Sequence, residues 1–483
     1  MLSRRAFLAG SAGLVGLTAA AFATRQGAAG RPAPITAVFR SRPDLAPPVV
    51  RVARGVGATG AGLLFLTPNG ALTPGMMIVN DHGELVWWRP APAQPTANLR
   101  VQEYGGEPVL TWWEGQVDGG GHGQGEYVIL DRSYTERLRV RAGNGFQGDL
   151  HEFLLTPHGT ALLTAYHPVA TDLSSVGGAP AGTVLDSIIQ EVDVGSGRVV
   201  FEWHSIDHVE PSESHSAPGA GAPFDYFHIN SIDVDGDGDL LVSARNTWAI
   251  YKLDRKSGDV RWRLGGKRSD FAMADGTAFA WQHDARRQAD GSITLFDDGA
   301  SPQVEPQSRG LTLRVDETAE TVSLERTYVH PRPILAGSQG NLQVLSNGNV
   351  LIGWGAQPYL SEFSSDGRLL FDAQLPAGSY SYRAFRFPWR GQPAEAPSVH
   401  VASDPSGMAV AAASWNGATD VDRWQVLEGP AADRLRPLVS RPSTGFETRV
   451  WFRSTRPFVA VRALDARGAV LGTSTATRVL TRV

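Results

Sequence analysis

Short runs of β-branched, aliphatic and aromatic residues recur along the chain. Each ends at Asp, Asn or Ser and a turn, then gives way to a second apolar run, in most copies containing Trp or Phe. The clearest copies are MIVNDHGELVWW from Met77, YVILDRSYTERLRV from Tyr127, IQEVDVGSGRVVFEW from Ile189 and IYKLDRKSGDVRWRL from Ile250. LTLRVDETAETVSL from Leu311 and LSEFSSDGRLLF from Leu360 are fainter ones. Runs of this length, bounded by turn residues, read as strands and hairpins. The anchors Asp81, Asp131, Asp193, Asp254, Asp316 and Ser365 stand 50, 62, 61, 62 and 49 residues apart. Six copies at that period predict an all-β fold, a six-bladed β-propeller with four strands per blade.

A second hairpin pattern precedes four of these copies, in LHEFLLTPHGTALLTAY from Leu150, FHINSIDVDGDGDLLVSAR from Phe227, QHDARRQADGSITLFDDG from Gln282 and GNLQVLSNGNVLIGWG from Gly340. In a propeller blade the first hairpin lies nearest the axis, so its opening residues should line a central channel. Counting back eight residues from Gly159, Gly236 and Gly291 reaches His151, His228 and His283. One imidazole at the same place in three successive repeats predicts convergence on one axial cavity. Asn230 lies two residues beyond His228 and should share its face. A four-residue turn over Asp235–Gly238 would pair 234 with 239, and therefore set Arg245 across from His228. Acidic residues look absent from this inner register apart from Asp284, which alternation directs away.

Composition narrows the chemistry. The 483 residues contain 54 Gly, 31 Pro and no Cys, which excludes disulfides, thiol catalysis and cysteinyl zinc sites. A net charge of -5 argues against a nucleic-acid partner. Residues 1–30 read as a twin-arginine signal: Arg4-Arg5 precede an apolar stretch that ends in Ala21-Phe22-Ala23. This predicts a secreted or cell-surface protein, with no integral membrane domain after the signal. Residues 31–394 are then the propeller. Over residues 395–483 alternating strands with a loop about every 8 to 12 residues predict a fibronectin-III-like sandwich without a chemical cluster.

Two insertions, roughly Pro168–Leu185 and Ser205–Phe224, read as a lid over the channel or as surface loops. The acidic run Asp233–Asp239 resembles the start of a calcium loop. Ala244 stands where a bidentate Glu is required, so it reads as a hairpin turn.

Arginine with several imidazoles and an amide suits a tetrahedral oxyanion, because the guanidinium offers a planar donor fork and a permanent charge. The same charge repels a divalent cation, so no metal and no cofactor are expected, although three imidazoles can hold zinc or copper elsewhere. FHINSIDVDGDGDLLVSARNTWAIYKLD with GDVRWRLGG, FAWQHD and LHEFLLTPHGTALLTAY together resemble the bacterial arylsulfate sulfotransferases, six-bladed propeller enzymes. The resemblance runs from about Ile35 to Trp389. It implies transfer of a sulfuryl group from a phenolic sulfate ester to a phenol, independent of PAPS, through a transient sulfated histidine. By it, His283 matches the sulfated histidine, and His151, His228, Asn230 and Arg245 match the groups around the sulfuryl. The chain departs from the periplasmic members in lacking cysteines and in carrying the C-terminal sandwich. The alternative reading is a secreted, non-catalytic propeller that binds an anionic glycan or surface polymer.

Overall fold

The computed structural model describes residues 36–54, 58–70 and 73–481; the twin-arginine segment lies outside the described residues. The chain is all-β, with only three short 3-10 turns among the described residues. Its first antiparallel sheet joins Leu63–Gly70, Gly75–Val79 and Leu85–Pro90 to Ser379–Phe387, so the two ends of a 325-residue stretch are stitched into one sheet. The second set is Thr96–Tyr104, Glu107–Val117, Gly123–Leu130 and Glu136–Val140. The third is Gly148–Leu155, Thr160–Thr171, Gly182–Asp193 and Val199–His204. A single bridge between Gly125 and Gly148 fuses these two sets into one sheet. A Cβ on Gly148 would lie 2.9 Å from the Tyr127 ring, so only glycine permits that approach.

The fourth sheet is Ile229–Val234, Leu240–Ala244, Ala249–Leu253 and Val260–Gly265. The fifth is His283–Arg287, Ile293–Asp297, Arg309–Asp316 and Thr321–Tyr328, with Ala272–Met273 on its outer edge. Asn341–Val344, Val350–Gly353, Tyr359–Phe363 and Leu369–Gln374 form the next, edged by Arg51–Arg54.

The packing closes a ring. Phe65 and Ile78 meet Leu110 and Val128; Tyr127 meets Phe153 and Leu163; Leu162 and Ile189 meet Ile229 and Val242. Leu241 and Ile250 meet Leu295 and Leu311, Phe296 meets Leu342 and Ile352, and Leu351 and Phe371 return to Leu64 and Met77. The inner strands are therefore largely buried on both faces, which is why Gly75–Val79 reads as an unbroken apolar run rather than an alternating one. This is a propeller-like arrangement, and the six repeat copies seen in the sequence are the third and fourth strands of successive sheets.

Two sequence expectations need correction. The turn of the fourth sheet spans Asp235–Asp239, pairing Val234 with Leu240, and its left-handed glycine is Gly238 (φ +91°), not Gly236. Counted from equivalent glycines, Asn230 rather than His228 matches His151 and His283. His228 still faces Arg245 because a bulge between Ile229 and Ser231 shifts the register back by one: the Arg245 amide donates to the His228 carbonyl at 2.9 Å. The two slips cancel.

The insertions are also ordered. Pro168–Leu185 is the extended tip of a twelve-residue-per-strand hairpin, Thr160–Thr171 with Gly182–Asp193. Ser205–Phe224 packs on the fourth sheet through buried Val209 and Glu213, the latter bonded to Tyr251 and Arg263. The Asp233–Asp239 carboxylates are engaged by protein cations, Lys252 with Asp235 and Asp237 and Arg287 with Asp235.

From Ser398 onward two sheets form. Glu447–Arg453, Met408–Ser414, Ser398–Ser403 and Leu480–Thr481 make one; Arg436–Pro442, Arg423–Gly429, Phe458–Leu464 and Val470–Thr473 the other, with Thr477–Arg478 also on Phe458–Leu464. Trp424, Val426, Ala411, Val450 and Val461 fill the space between them. No helix among the described residues is long and apolar enough to cross a membrane.

Candidate functional site

The inner strands bring His151, His228 and His283 together. His151 lies within Gly148–Leu155, His228 just before Ile229–Val234 at a left-handed φ of +58°, and His283 opens His283–Arg287. The rings of His151 and His228 meet edge to face, centroids 4.9 Å apart. His283 lies within electrostatic reach of both rings and of Arg245. All three are buried.

Each imidazole is backed by a carboxylate, which corrects the expectation that acids are absent from this register. His151 Nδ1 donates to Asp149 at 2.6 Å, His283 Nδ1 to Asp298 at 2.6 Å, and His228 Nδ1 to Asp225. Asp149 also accepts from the backbone amides of Gly123 and His151 and from the Thr164 hydroxyl. Burial would raise this carboxyl, but His151 and these donors hold it below the usual range. An acceptor at Nδ1 keeps the proton there and leaves Nε2 as the lone pair. Neither His151 nor His228 has a protein partner at Nε2 among the described residues.

At His283 the tautomer is fixed by groups that do not titrate. Nδ1 also faces the Trp281 carbonyl at 3.1 Å, and Nε2 accepts from the Gln339 amide at 3.2 Å. Burial, then Arg245 and the two neighbouring imidazoles, push the His283 pKa well down, so the ring is neutral. Burial pushes Asp298 up, against the pull of Arg245. The result is a neutral imidazole whose Nε2 electron pair is engaged only by the long Gln339 amide contact; neutrality is the state a nucleophilic histidine requires.

Arg245 lies over the Trp281 ring, 4.7 Å from the centroid to the guanidinium carbon. It donates to the Asn246 side chain at 2.9 Å and, with long bonds, to the carbonyls of Gly337 and Ser301. Trp281 and Trp248 both hold left-handed φ values (+59° and +53°) and meet edge to face at 5.0 Å. Trp112, Trp113 and Trp354 are core residues.

Asn230 is buried and donates to the Gln282 carbonyl at 2.6 Å, tying the fourth sheet to the fifth. Asn98 and Asn341 make the same tie elsewhere, to the Leu150 and Ala384 carbonyls. Among the described residues Asn230 Oδ1 is left without a protein partner. So are Tyr382 Oη, Gln339 Oε1, Asp225 Oδ1 and Asp298 Oδ1, with Tyr382 edge-on to His151 at 5.7 Å. Unpaired buried polar atoms are costly in a native protein and concentrate where a polar ligand or water binds. Asp284 points away from the imidazoles, as alternation predicted, to Arg286 and Arg383. These two arginines and Arg100 enclose Glu152, whose pKa they depress strongly.

Sequence reasoning missed Asp149, Asp225, Asp298, Gln339, Tyr382 and a fourth imidazole, His122. An Asp two or three residues before His151 and His228 was the available signal for the first two. Asp298 comes from the far end of Ile293–Asp297, and local spacing could not have pointed to it.

The arylsulfotransferase (ASST) family profile matches residues 100–375, more than half of the chain. The chain belongs to the arylsulfotransferase family. At the level of that family the activity is a transferase reaction between aryl sulfates and phenols. No curated protein matches the chain. Among solved structures, a Bacteroides caccae protein of unknown function shares 14% identity over 67% of this chain and 98% of its own, with TM-score 0.42. Virginiamycin B lyase from Staphylococcus aureus shares 9% over 67% and 87%, TM-score 0.32, and a streptogramin B lyase 12% over 67% and 86%, TM-score 0.35. The arylsulfotransferase match spans every residue of the imidazole cluster, from Asn230 and Arg245 to the three histidines and their carboxylates.

Proposed function

We propose that this protein moves a sulfuryl group from a phenolic sulfate ester to a phenolic acceptor by two displacements at His283, without PAPS or another cofactor. The observation that carries this reading is the state of His283: neutral, with Nδ1–H held by Asp298 and the Trp281 carbonyl, and Nε2 bare except for one backbone amide. In the first displacement Nε2 bonds to sulfur as the sulfur–oxygen ester bond breaks and the phenolate leaves. In the second, the acceptor oxygen bonds to sulfur, the nitrogen–sulfur bond breaks and the acceptor loses its proton. A loose transition state puts charge on the sulfuryl and leaving oxygens, where Arg245 and the imidazoles can meet it. Asn230 anchors the His228 strand against Gln282 and leaves its Oδ1 unpaired among the described residues. Trp281, with Arg245 stacked on it, is a fitting wall for an aryl ring.

The six sheet sets are read as blades of one six-bladed propeller over residues 31–394, and residues 395–483 as a fibronectin-III-like sandwich. Export through the twin-arginine segment places the reaction outside the cytoplasm.

The test is incubation with a chromogenic aryl sulfate and a phenol. Acceptor-dependent release of the chromophore, a sulfated peptide containing His283 and loss of both in His283→Ala support the proposal. Unchanged turnover in His283→Ala rejects the mechanism. Loss of activity on chelation would point to a metal enzyme. Tight binding of an anionic glycan without turnover would favour the non-catalytic alternative.

A further inference from the structure

His122, at the edge of Gly123–Leu130, is the one imidazole near the site that the reaction above does not use. Its Nδ1 faces both oxygens of Asp118 at 3.2 Å, and its Nε2 faces Asp225 Oδ2 at 3.1 Å. That same oxygen accepts from Nδ1 of His228. One carboxylate oxygen is thus shared by two imidazoles whose rings lie 5.2 Å apart. Tyr166, from Thr160–Thr171, covers the pair, its ring 4.6 Å from His122 and 6.1 Å from His228. His151 closes the other side of His228, and Arg245 lies within electrostatic reach of Asp225. Asp118 is half exposed, so the row runs from solvent to the pocket.

We propose that His122 is a positioning residue: a fixed imidazolium, clamped between Asp118 and Asp225, that keeps His228 neutral with a bare Nε2 and so makes His228 the base that takes the proton of the incoming acceptor. The inference rests on the transfer reaction above and names which flanking imidazole handles the proton. Both nitrogens of His122 face carboxylates, and an imidazole with an anion on each nitrogen is stable only with both protonated. Asp225 then has its charge met by His122, and exerts less pull on a second proton for His228. The shifts agree in direction: against the cost of burial, Asp118 and Asp225 hold His122 up at about 10, whereas burial, with His151 and His122 adding to it, takes His228 down to about 4. In the second displacement the acceptor O–H proton passes to His228 Nε2 as the oxygen–sulfur bond forms. The next donor's phenolate takes that proton back, so no proton is gained or lost per cycle.

His122, Asp225 and His228 would also pass for three ligands of a metal ion. Asp149 with His151 and Asp298 with His283 make the same Nδ1-to-carboxylate contact as Asp225 with His228, which favours orientation of the ring over metal binding.

The experiment is nitrogen-15 NMR of histidine-labelled, full-length protein across pH, in wild type, His122→Gln, Asp118→Asn and His228→Gln, paired with the pH profile of the acceptor step. In wild type the resonances lost in His122→Gln should be those of a doubly protonated ring through neutral pH, and those lost in His228→Gln those of a neutral ring. In His122→Gln the His228 titration should move up by at least about one unit, slowing the acceptor step about tenfold at the acid end and much less at the alkaline end. His122→Lys, which restores a cation beside Asp225, should move the acid limb back. Asp118→Asn, whose change is half exposed, should give a smaller shift in the same direction and serves if His122→Gln does not fold. An unmoved His228 titration, a neutral His122 at pH 7, or stoichiometric zinc that is lost in His122→Gln overturns the proposal. The NMR arm needs no sulfuryl transfer: a shifted His228 in a protein that fails the aryl sulfate assay would sink the transferase reading and leave the His122–His228 coupling standing.

Discussion

Replacing Asp298 with Asn removes the negative charge behind His283 but keeps an oxygen able to accept its Nδ1–H bond. When Nε2 bonds to sulfur with the proton still on Nδ1, the ring becomes cationic, and it then lies 2.6 Å from a carboxylate in the wild type and from a neutral amide in the variant. A hydrogen bond with a charged partner exceeds a neutral one by about 1 kcal/mol, which sets the floor. Two unit charges ~4 Å apart at an effective dielectric of ~20 interact by about 4 kcal/mol, which sets the ceiling. Arg245 offsets part of the Asp298 charge and burial, by raising the carboxyl's pKa, reduces it further, so about 2–3 kcal/mol is expected, a fall of roughly 30- to 160-fold in the first displacement. Single-turnover release of phenol, with enzyme in excess and no acceptor, isolates that step. An unchanged thermal midpoint would show that the fold survives. A loss below about threefold, or one confined to the acceptor step, would refute the idea that Asp298 stabilises charge on the sulfated ring.

Arg245→Lys keeps the charge but loses the planar fork and the stack on Trp281. kcat/KM for the donor should fall about 10- to 100-fold in steady-state assays. Glu152→Gln leaves Arg100, Arg286 and Arg383 facing one another without their shared carboxylate, at a cost of about 3–5 kcal/mol read as a lower urea midpoint. Glu152 is held far below its ordinary pKa, so its contribution is present above the unfolded value of about 4.3 and is lost only as pH falls well below it. His122 has the opposite sign. Its folded pKa of about 10 lies above the unfolded value of about 6.5, so its stabilisation is complete below that value and drains away as pH rises toward 10. Urea midpoints from pH 6 to 10 should therefore converge for wild type and His122→Gln at the alkaline end.

The strand pattern was legible because the inner strands are largely buried on both faces and the outer hairpins end in turns with their own side-chain caps, such as Asp131 with Ser133 or Asp254 with Ser257. The repeats therefore stand out at their period even where the residues differ. The first sheet was the hardest to see, because Leu63–Gly70 finds Ser379–Phe387 across almost the whole chain and no local signal announces that pairing. Counting from turn glycines reached His151 and His283 correctly, since Gly159 (φ +75°) and Gly291 (φ +84°) occupy the same left-handed place in their turns. It reached His228 through the wrong glycine, because DGDG offers two and only Gly238 has the left-handed backbone. Strict alternation also assumes no bulge, and the one at Asn230 decides where His228 ends up.

The carboxylates change how the cavity receives an anion. A pocket of three imidazoles and one arginine, as the sequence suggested, would be attractive to a sulfate ester chiefly through net positive charge, and would leave the imidazoles free to protonate. With Asp149, Asp225 and Asp298 in place that charge is largely cancelled, but the geometry is ordered: each carboxylate lies behind its ring at Nδ1, while the guanidinium is stacked on Trp281. An incoming anion meets fixed donors and electron pairs rather than a cloud of titrating cations. Burial keeps His283 neutral, and Arg245 and the neighbouring rings add to it, so in the proposed reaction the state of the nucleophile depends on the oxyanion donor. Removing the positive charge with Arg245→Met should then raise the His283 pKa as well as weaken donor binding. The acid limb of the first displacement would move up in pH, which loss of binding alone does not produce.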